Sequence, residues 1–497
     1  MNTRSNKTMK FRLRRRDFLT GGASFAGIGL AGAMSLPRLA VAQDRQPMTS
    51  QTSPGISSRT FKLVAAPGRS PIVGTPYADT PVWFYGDVPG PEIRLRQGER
   101  LRVVVENRLP EDTTVHWHGI RLPNDMDGVP DLTQKPIAPG ETFTYEFDCP
   151  DAGTFWYHPH QRSSAQVGRG LYGPLIVEEA RPITVDRDIT WVLSDWRLLK
   201  DATISNDFGN MHDVAHNGRL GNTVTVNGRV RDTFPVRAGE RIRLRLINAA
   251  NARIFGLTFE GHDVTVIALD GQPVAPHAPP DGRVVLGPAM RADVLIDLTG
   301  KPGARYRVSD IFYRRMEYRL LDLAYGEEAP LPAAPEKAAV ILPPNPLPEP
   351  DMRNAERHEV TLGGGMMGMM MSATMNGRQV DMRTLMQHGM AWAINGRVES
   401  EHVHEPLFTF ARNRSYVLTL INDTAWHHPM HLHGHSFRVI SRNGTPTAHR
   451  EWQDTVLLNP RERAEIAFVA DNPGDWMFHC HILEHQAGGM MSLVRVA

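Results

Sequence analysis

The segment His479-Cys480-His481-Ile482-Leu483-Glu484-His485-Gln486-Ala487-Gly488-Gly489-Met490 gathers residues suited to holding a soft transition-metal ion. In an extended strand successive side chains point to opposite faces, so Cys480 faces away from His479 and His481. One short segment can therefore serve two metal sites back to back, joined through Cys480 and its neighbouring peptide bonds. His485 and Met490 follow at distances that a turn of helix or a loop could fold back onto the Cys480 face. Two histidines, a cysteine and a weak axial methionine are the ligand set of a blue-copper electron-transfer centre. One histidine of that set is missing from this segment, and the rest of the chain must supply it. A lone histidine is usually an ordinary core or surface residue, but four soft or imidazole ligands around one cysteine are not.

Three further clusters extend the pattern: His116-Trp117-His118-Gly119, His158-Pro159-His160 and His428-Pro429-Met430-His431-Leu432-His433-Gly434. Each His-x-His places two imidazoles on one face of a strand. A single such pair says little, whereas four clusters in order, with His428 available to complete the blue-copper set, point to a multi-metal centre.

The elements that position these residues must be strands. The 497 residues allow two to four domains and ample core, and the 43 glycines and 38 prolines suit a strand-and-turn protein. Turn signals such as Val88-Pro89-Gly90-Pro91 and Ala138-Pro139-Gly140 divide the first 180 residues, which carry no long amphipathic helix pattern. Of the two cysteines, Cys480 is a candidate ligand, which leaves Cys149 as a small buried apolar residue.

An internal repeat organises the chain. Gly98-Glu99-Arg100-Leu101-Arg102-Val103-Val104-Val105-Glu106-Asn107 recurs as Gly239-Glu240-Arg241-Ile242-Arg243-Leu244-Arg245-Leu246-Ile247-Asn248, and more loosely at Asn413–Asn422. A second pattern follows in each copy, at Gly153–His160, Gly303–Asp310 and Gly474–His481. The expected fold is all-β, with three consecutive Greek-key β-sandwich domains at 58–181, 182–326 and 356–497. Where the outer copies have His158/His160 and His479/His481, the middle copy has Val308 and Asp310. The middle domain is thus expected to space the ligand-bearing ones, with His212, His216, His262 and His277 as ordinary residues.

Eight prolines between Glu327 and Pro350 mark a linker, set at 327–355. A methionine-rich segment, 366–390, follows it. Met382, Met386 and Met390 keep helical spacing, as a core-facing stripe would. The glycine-broken run before them cannot hold one helical face, and soft thioethers favour Cu(I). Core packing and surface capture of cuprous ions are equally good readings of this segment.

At the N-terminus, Arg14-Arg15-Arg16-Asp17-Phe18-Leu19 precedes a weakly hydrophobic Gly/Ala-rich run and an Ala40-Val41-Ala42 cleavage pattern, which resembles a twin-arginine signal peptide over 1–42. Residues 43–57 read as a disordered polar segment. Removing 1–42 takes away eight Lys/Arg and one Asp, leaving 47 basic against 53 acidic residues, a net charge of −6. That balance argues against a nucleic-acid partner.

Taken together, the four clusters resemble those of the multicopper oxidases, the family of laccases, ascorbate oxidases and bacterial copper-efflux oxidases. The resemblance covers nearly all of the chain after the signal. It implies three cupredoxin-like domains and four copper ions: one type 1, one type 2 and a type 3 pair. His428, Cys480, His485 and axial Met490 would hold the type 1 ion, and His116 and His431 the type 2 ion. One type 3 ion would take His118, His158 and His481, and the other His160, His433 and His479. Asp127, in Asn124-Asp125-Met126-Asp127-Gly128, matches the acidic position the family places near the type 2 ion as a proton relay. Related bacterial enzymes often carry a second acid directly after the last histidine ligand, where this chain has Gln486. Asp454 is a candidate for orienting a histidine from behind, Glu484 a weaker relay candidate, and His427 and His435 neighbours of the ligands.

The implied activity is one-electron oxidation of a small reductant, Cu(I) or phenols and aromatic amines, coupled to four-electron reduction of O2. The implied setting is periplasmic, reached through the twin-arginine export machinery, with the protein a monomer. A non-enzymatic envelope or copper-sequestering protein on the same scaffold is the alternative from another class, and the filled ligand positions speak against it. Paired His-x-His clusters likewise speak against a copper nitrite reductase.

Overall fold

The computed structural model describes residues 58–332, 340–368, 370–399 and 405–497. The expected signal peptide (1–42), the expected polar segment 43–57, part of the linker and Met369 lie outside the described residues. Among the described residues the strands form six sheets, two within Ser58–Glu178, two within Arg187–Tyr325 and two within Glu356–Val496. Among the described residues no helix is long and apolar enough to cross a membrane.

The repeat seen in the sequence is a structural repeat. Its strands, Arg100–Asn107, Arg241–Asn248 and Ser415–Asn422, each lie parallel to the strand that opens their segment. Each is also antiparallel to a later strand, Thr142–Asp148, Arg291–Asp297 or Arg463–Val469. Alternate side chains point into the cores, as Leu101, Val103 and Val105 do.

The closing asparagine of each copy does the same work three times. Asn107 donates to the carbonyls of Glu111 and Ile137, Asn248 to those of Arg253 and Leu286, and Asn422 to those of Trp426 and Asn459. Each buried amide satisfies loop carbonyls that would otherwise be lost to water. In the outer copies the loop so pinned leads directly into His116 or His428.

The linker is held by both sandwiches it passes. Leu342 packs with Ile267, Ala268 and Leu295, while Asn345 exchanges hydrogen bonds with the Ala152 backbone and donates to Gln272. The methionine stripe divides. Met382 and Met390 pack beside buried Leu385, but Met386 on the same short helix, Met382–Gln387, is exposed. Met366, Met367 and Met371 are 46%, 68% and 81% exposed.

Candidate metal centre

The strands His428–Leu432 and Gly474–Cys480 pair antiparallel, with Met430 opposite Cys480 and His431 opposite His479. Directly opposed residues share a face. Cys480, Met430 and His428 therefore point one way, and His431 and His479 the other. Odd and even positions of two adjacent strands thus separate a sulfur-bearing site from an imidazole-only site. In the first domain His116 lies opposite His158, which adds their imidazoles to the second site.

On the cysteine face, Cys480 Sγ is 3.5 Å from His428 Nδ1 and 3.7 Å from His485 Nδ1, and the two nitrogens are 3.2 Å apart. A point within that triangle lies about 2 Å from all three atoms, a normal metal–ligand bond length. The helix Leu483–Ala487 folds His485 back to this position. His428 Nε2 donates to Thr424 Oγ1 at 2.8 Å, and that hydroxyl donates on to Asn422 Oδ1. His485 Nε2 donates to the His216 carbonyl at 2.6 Å. With both Nε2 atoms so engaged, both Nδ1 lone pairs face the thiol. Met490 is fully buried beside them, its backbone bonded to Cys480 and His485.

On the other face eight histidines from the first and third domains converge. His433 Nε2 and His479 Nε2 are 3.1 Å apart and group with His160; His158 Nε2 and His481 Nε2 are 3.4 Å apart. The His118 ring lies 5.0 Å from that of His481. His118 also groups with His116 and His158, and His116 groups with His431 and His433. Across the domain boundary the rings of His116 and His433 stack at 4.0 Å, and those of His118 and His431 at 3.8 Å.

The donor set fits metal ions. Buried ring nitrogens without a hydrogen-bond partner include His116 Nε2, His118 Nδ1, His160 Nε2 and His431 Nε2. Each buried nitrogen left unpaired costs about 1–3 kcal/mol, which a fold sustains where an ion completes the bonding. Burial, then neighbouring imidazoles, holds His118, His158, His160, His433, His479 and His481 well below the usual histidine pKa. Neutral imidazole is the form that binds metal. Burial also pushes the Cys480 thiol up, so the thiolate forms only with a cation beside it.

Three multicopper oxidase family models match the chain, at residues 72–182, 187–317 and 373–497. The chain belongs to the multicopper oxidase family. It is 33% identical to multicopper oxidase MmcO of Mycobacterium tuberculosis, over 98% of this chain and 97% of that one. It is 26% identical to a copper resistance protein A homolog of Pseudomonas syringae pv. tomato, over 98% and 100%. Among solved structures, a multi-copper oxidase from Pseudomonas thermotolerans aligns with a TM-score of 0.77 at 35% identity, covering 89% of this chain and all of that one. The oxidase is thus an all-β, copper-binding oxidoreductase of cupredoxin-like domains that uses O2.

The expected carboxylates sit behind the histidines. Asp127 of the oxidase is buried; its Oδ2 accepts from His433 Nδ1 at 2.8 Å and its backbone carbonyl from His116 Nδ1 at 2.8 Å. The following Gly128 has φ +80°, and a Cβ there would lie 1.9 Å from the Val115 carbonyl, so glycine lets this turn close against the strand of His116. Asp454 accepts from His118 Nε2 at 3.1 Å through Oδ1 and from His431 Nδ1 at 2.8 Å through its backbone carbonyl. Gln486 Nε2 lies 3.5 Å from His160 Nδ1. Glu484 is buried, accepting from the Arg219 N–H and from Asn251. His435 Nδ1 meets the His433 carbonyl at 3.2 Å, whereas the His427 ring lies beside Phe312.

The middle domain does more than space the others. It gives no ligand, but it supplies the His216 carbonyl to His485, and buried Arg291 and Asp270 to the Asp454 corner. His216 acts through its backbone, which no residue pattern reveals. Arg291 opens the strand Arg291–Asp297 and Asp270 sits in the turn after Val264–Leu269, and both are fully buried charges.

Proposed function

We propose that the chain is an exported multicopper oxidase that accepts single electrons at the Cys480 site and delivers them to dioxygen at the eight-histidine site. The observation that carries this reading is Cys480 itself, flanked by His479 and His481 on the opposite face of its strand. His428, Cys480, His485 and Met490 would hold a type 1 ion, and His116 and His431 a type 2 ion. His118, His158 and His481 would hold one type 3 ion, and His160, His433 and His479 the other. Copper bound at these four positions would supply one-electron storage and the four-electron reduction of O2 to water.

The chain's own residues set the path. His479 Nδ1 donates to the Cys480 carbonyl at 3.0 Å, a hydrogen-bonded shortcut beside the covalent one. Asp127, in contact with histidines assigned to two different ions, is suited to pass protons toward bound oxygen. Gln486 cannot carry a proton as a carboxylate does, so it orients His160 instead.

Cu(I) is the favoured reductant, with phenols and aromatic amines as further substrates. The exposed thioethers of Met366, Met367 and Met371 support this, as do relatives described as a copper resistance protein A homolog and, in Campylobacter jejuni, a metallo-oxidase. Met366 N donates to Ala215 O, one residue from the carbonyl that caps His485, so the segment borders the type 1 site. The twin arginines before Phe18 support export to the periplasm, and the role that follows is copper tolerance by a monomer.

Metal analysis combined with oxygen uptake tests this. About four coppers per chain, an intense blue band and faster uptake with Cu(I) than with Fe(II) or a phenol are expected. Copper bound without turnover would overturn the enzymatic reading in favour of sequestration.

A further inference from the structure

One guanidinium joins all three domains behind the histidine centre. Arg291 is fully buried and belongs to the middle domain. Its Nε donates to the Thr154 carbonyl of the first domain at 3.0 Å, and its Nη1 to Ala289 of its own at 3.2 Å. Nη1 and Nη2 together grip the Asp454 carboxylate of the third domain, at 2.8 and 2.5 Å. Beside it, Asp270 accepts from the backbone N–H of Arg291 at 2.9 Å, and from those of Asp454 and Thr455 at 3.3 and 3.1 Å.

The Asp454–Thr455 corner so clamped touches two histidines of the centre, one from each outer domain. Asp454 Oδ1 and Thr455 Oγ1 lie 3.1 and 3.2 Å from His118 Nε2. The Asp454 carbonyl and Thr455 Oγ1 lie 2.8 and 3.1 Å from His431 Nδ1. With those nitrogens taken, the atoms left facing the centre are His118 Nδ1 and His431 Nε2, both buried and unpartnered. The fit is close: a Cβ on Gly119, directly after His118, would lie 2.3 Å from Arg291 Nη2 and 2.5 Å from Asp454 Oδ2.

We propose that Arg291, with Asp270 beside it, is a positioning residue of the oxygen-reducing centre. By fixing the Asp454–Thr455 corner it orients His118 and His431, and so the middle domain governs metal affinity at a site to which it contributes no ligand. A bidentate, planar donor is required, because two parallel bonds fix the carboxylate in angle as well as place. This rests on the assignment of His431 to the type 2 ion.

The test is copper retention in Arg291→Met and Arg291→Lys holoenzyme. Chelator competition followed by the type 2 electron paramagnetic resonance signal should show binding weakened about 10- to 100-fold in Arg291→Met, the usual cost of losing a partner behind a metal ligand. The blue type 1 band should persist and report that the fold is intact. Arg291→Lys keeps the charge but not the fork and should fall between; it is the variant to read if Arg291→Met does not fold. Arg243→Met is the control, removing a buried arginine whose hydrogen bonds go to Glu179 and Asp293. It should lower the melting temperature and leave type 2 affinity alone. Unchanged affinity in the Arg291 variants, or an equal loss in Arg243→Met, would overturn the proposal. Wild-type protein with no type 2 signal would overturn the ligand assignment as well.

Discussion

Asp127 Oδ2 accepts a hydrogen bond from His433 Nδ1 over 2.8 Å, joining residues 306 positions apart and from opposite ends of the chain. The same aspartate holds His116 through its backbone carbonyl, so one residue fixes a histidine from each outer domain. Asp127→Asn keeps the shape but cannot carry a proton. Oxygen uptake at saturating reductant should fall about 10- to 100-fold with copper content little changed. Native turnover in that variant would remove Asp127 from the proton path.

Cys480 joins the two sites directly, through its peptide bonds to His479 and His481. Cys480→Ser should abolish the blue band and the type 1 ion, because an alcohol does not replace a thiolate as a soft ligand. Oxygen uptake should drop at least ~100-fold while the histidine centre keeps its copper. Copper analysis and absorption spectroscopy decide this, and native uptake by the variant would refute the route.

Loss of metal should leave an acid-sensitive protein. Nine ligand histidines have folded pKa values lowered by burial, His485 to about 3. Their unfolded forms take up protons below about pH 6.5 and their folded forms do not, so stability is present above that pH and declines as pH falls. Each proton of difference is worth about 1.4 kcal/mol per pH unit. Asp270 opposes this: burial and the adjacent Asp454 push it up to about 7, so its contribution weakens as pH rises through that value. The histidines outnumber it, and the denaturation midpoint of copper-free protein should fall between pH 7.5 and pH 5.5. A midpoint that stayed level would show that these histidines are already accessible to protons.

The exposed thioethers can be tested without disturbing the backbone. Replacing Met366, Met367 and Met371 together by leucine keeps the apolar bulk and removes the sulfur. KM for Cu(I) should rise about tenfold, with phenol oxidation within about twofold of wild type. Equal effects on both substrates would mean that the segment serves the site's shape and not metal capture.

The sequence alone determined which residues face which site. Side-chain alternation is a local property of an extended backbone, so the separation of Cys480 from its flanking histidines, and the pairing of imidazoles in each His-x-His, follow from spacing. The repeat ending at Asn107, Asn248 and Asn422 likewise announced three equivalent units, because each asparagine serves its own loop. What the tertiary structure decided lies between those units. The reach of Asp127 to His433, the His216 carbonyl behind His485 and the Arg291 grip on Asp454 all depend on how separately folded surfaces dock. Spacing along a chain constrains neighbours within a strand or turn; it does not fix which side chain of one domain meets a backbone carbonyl of another.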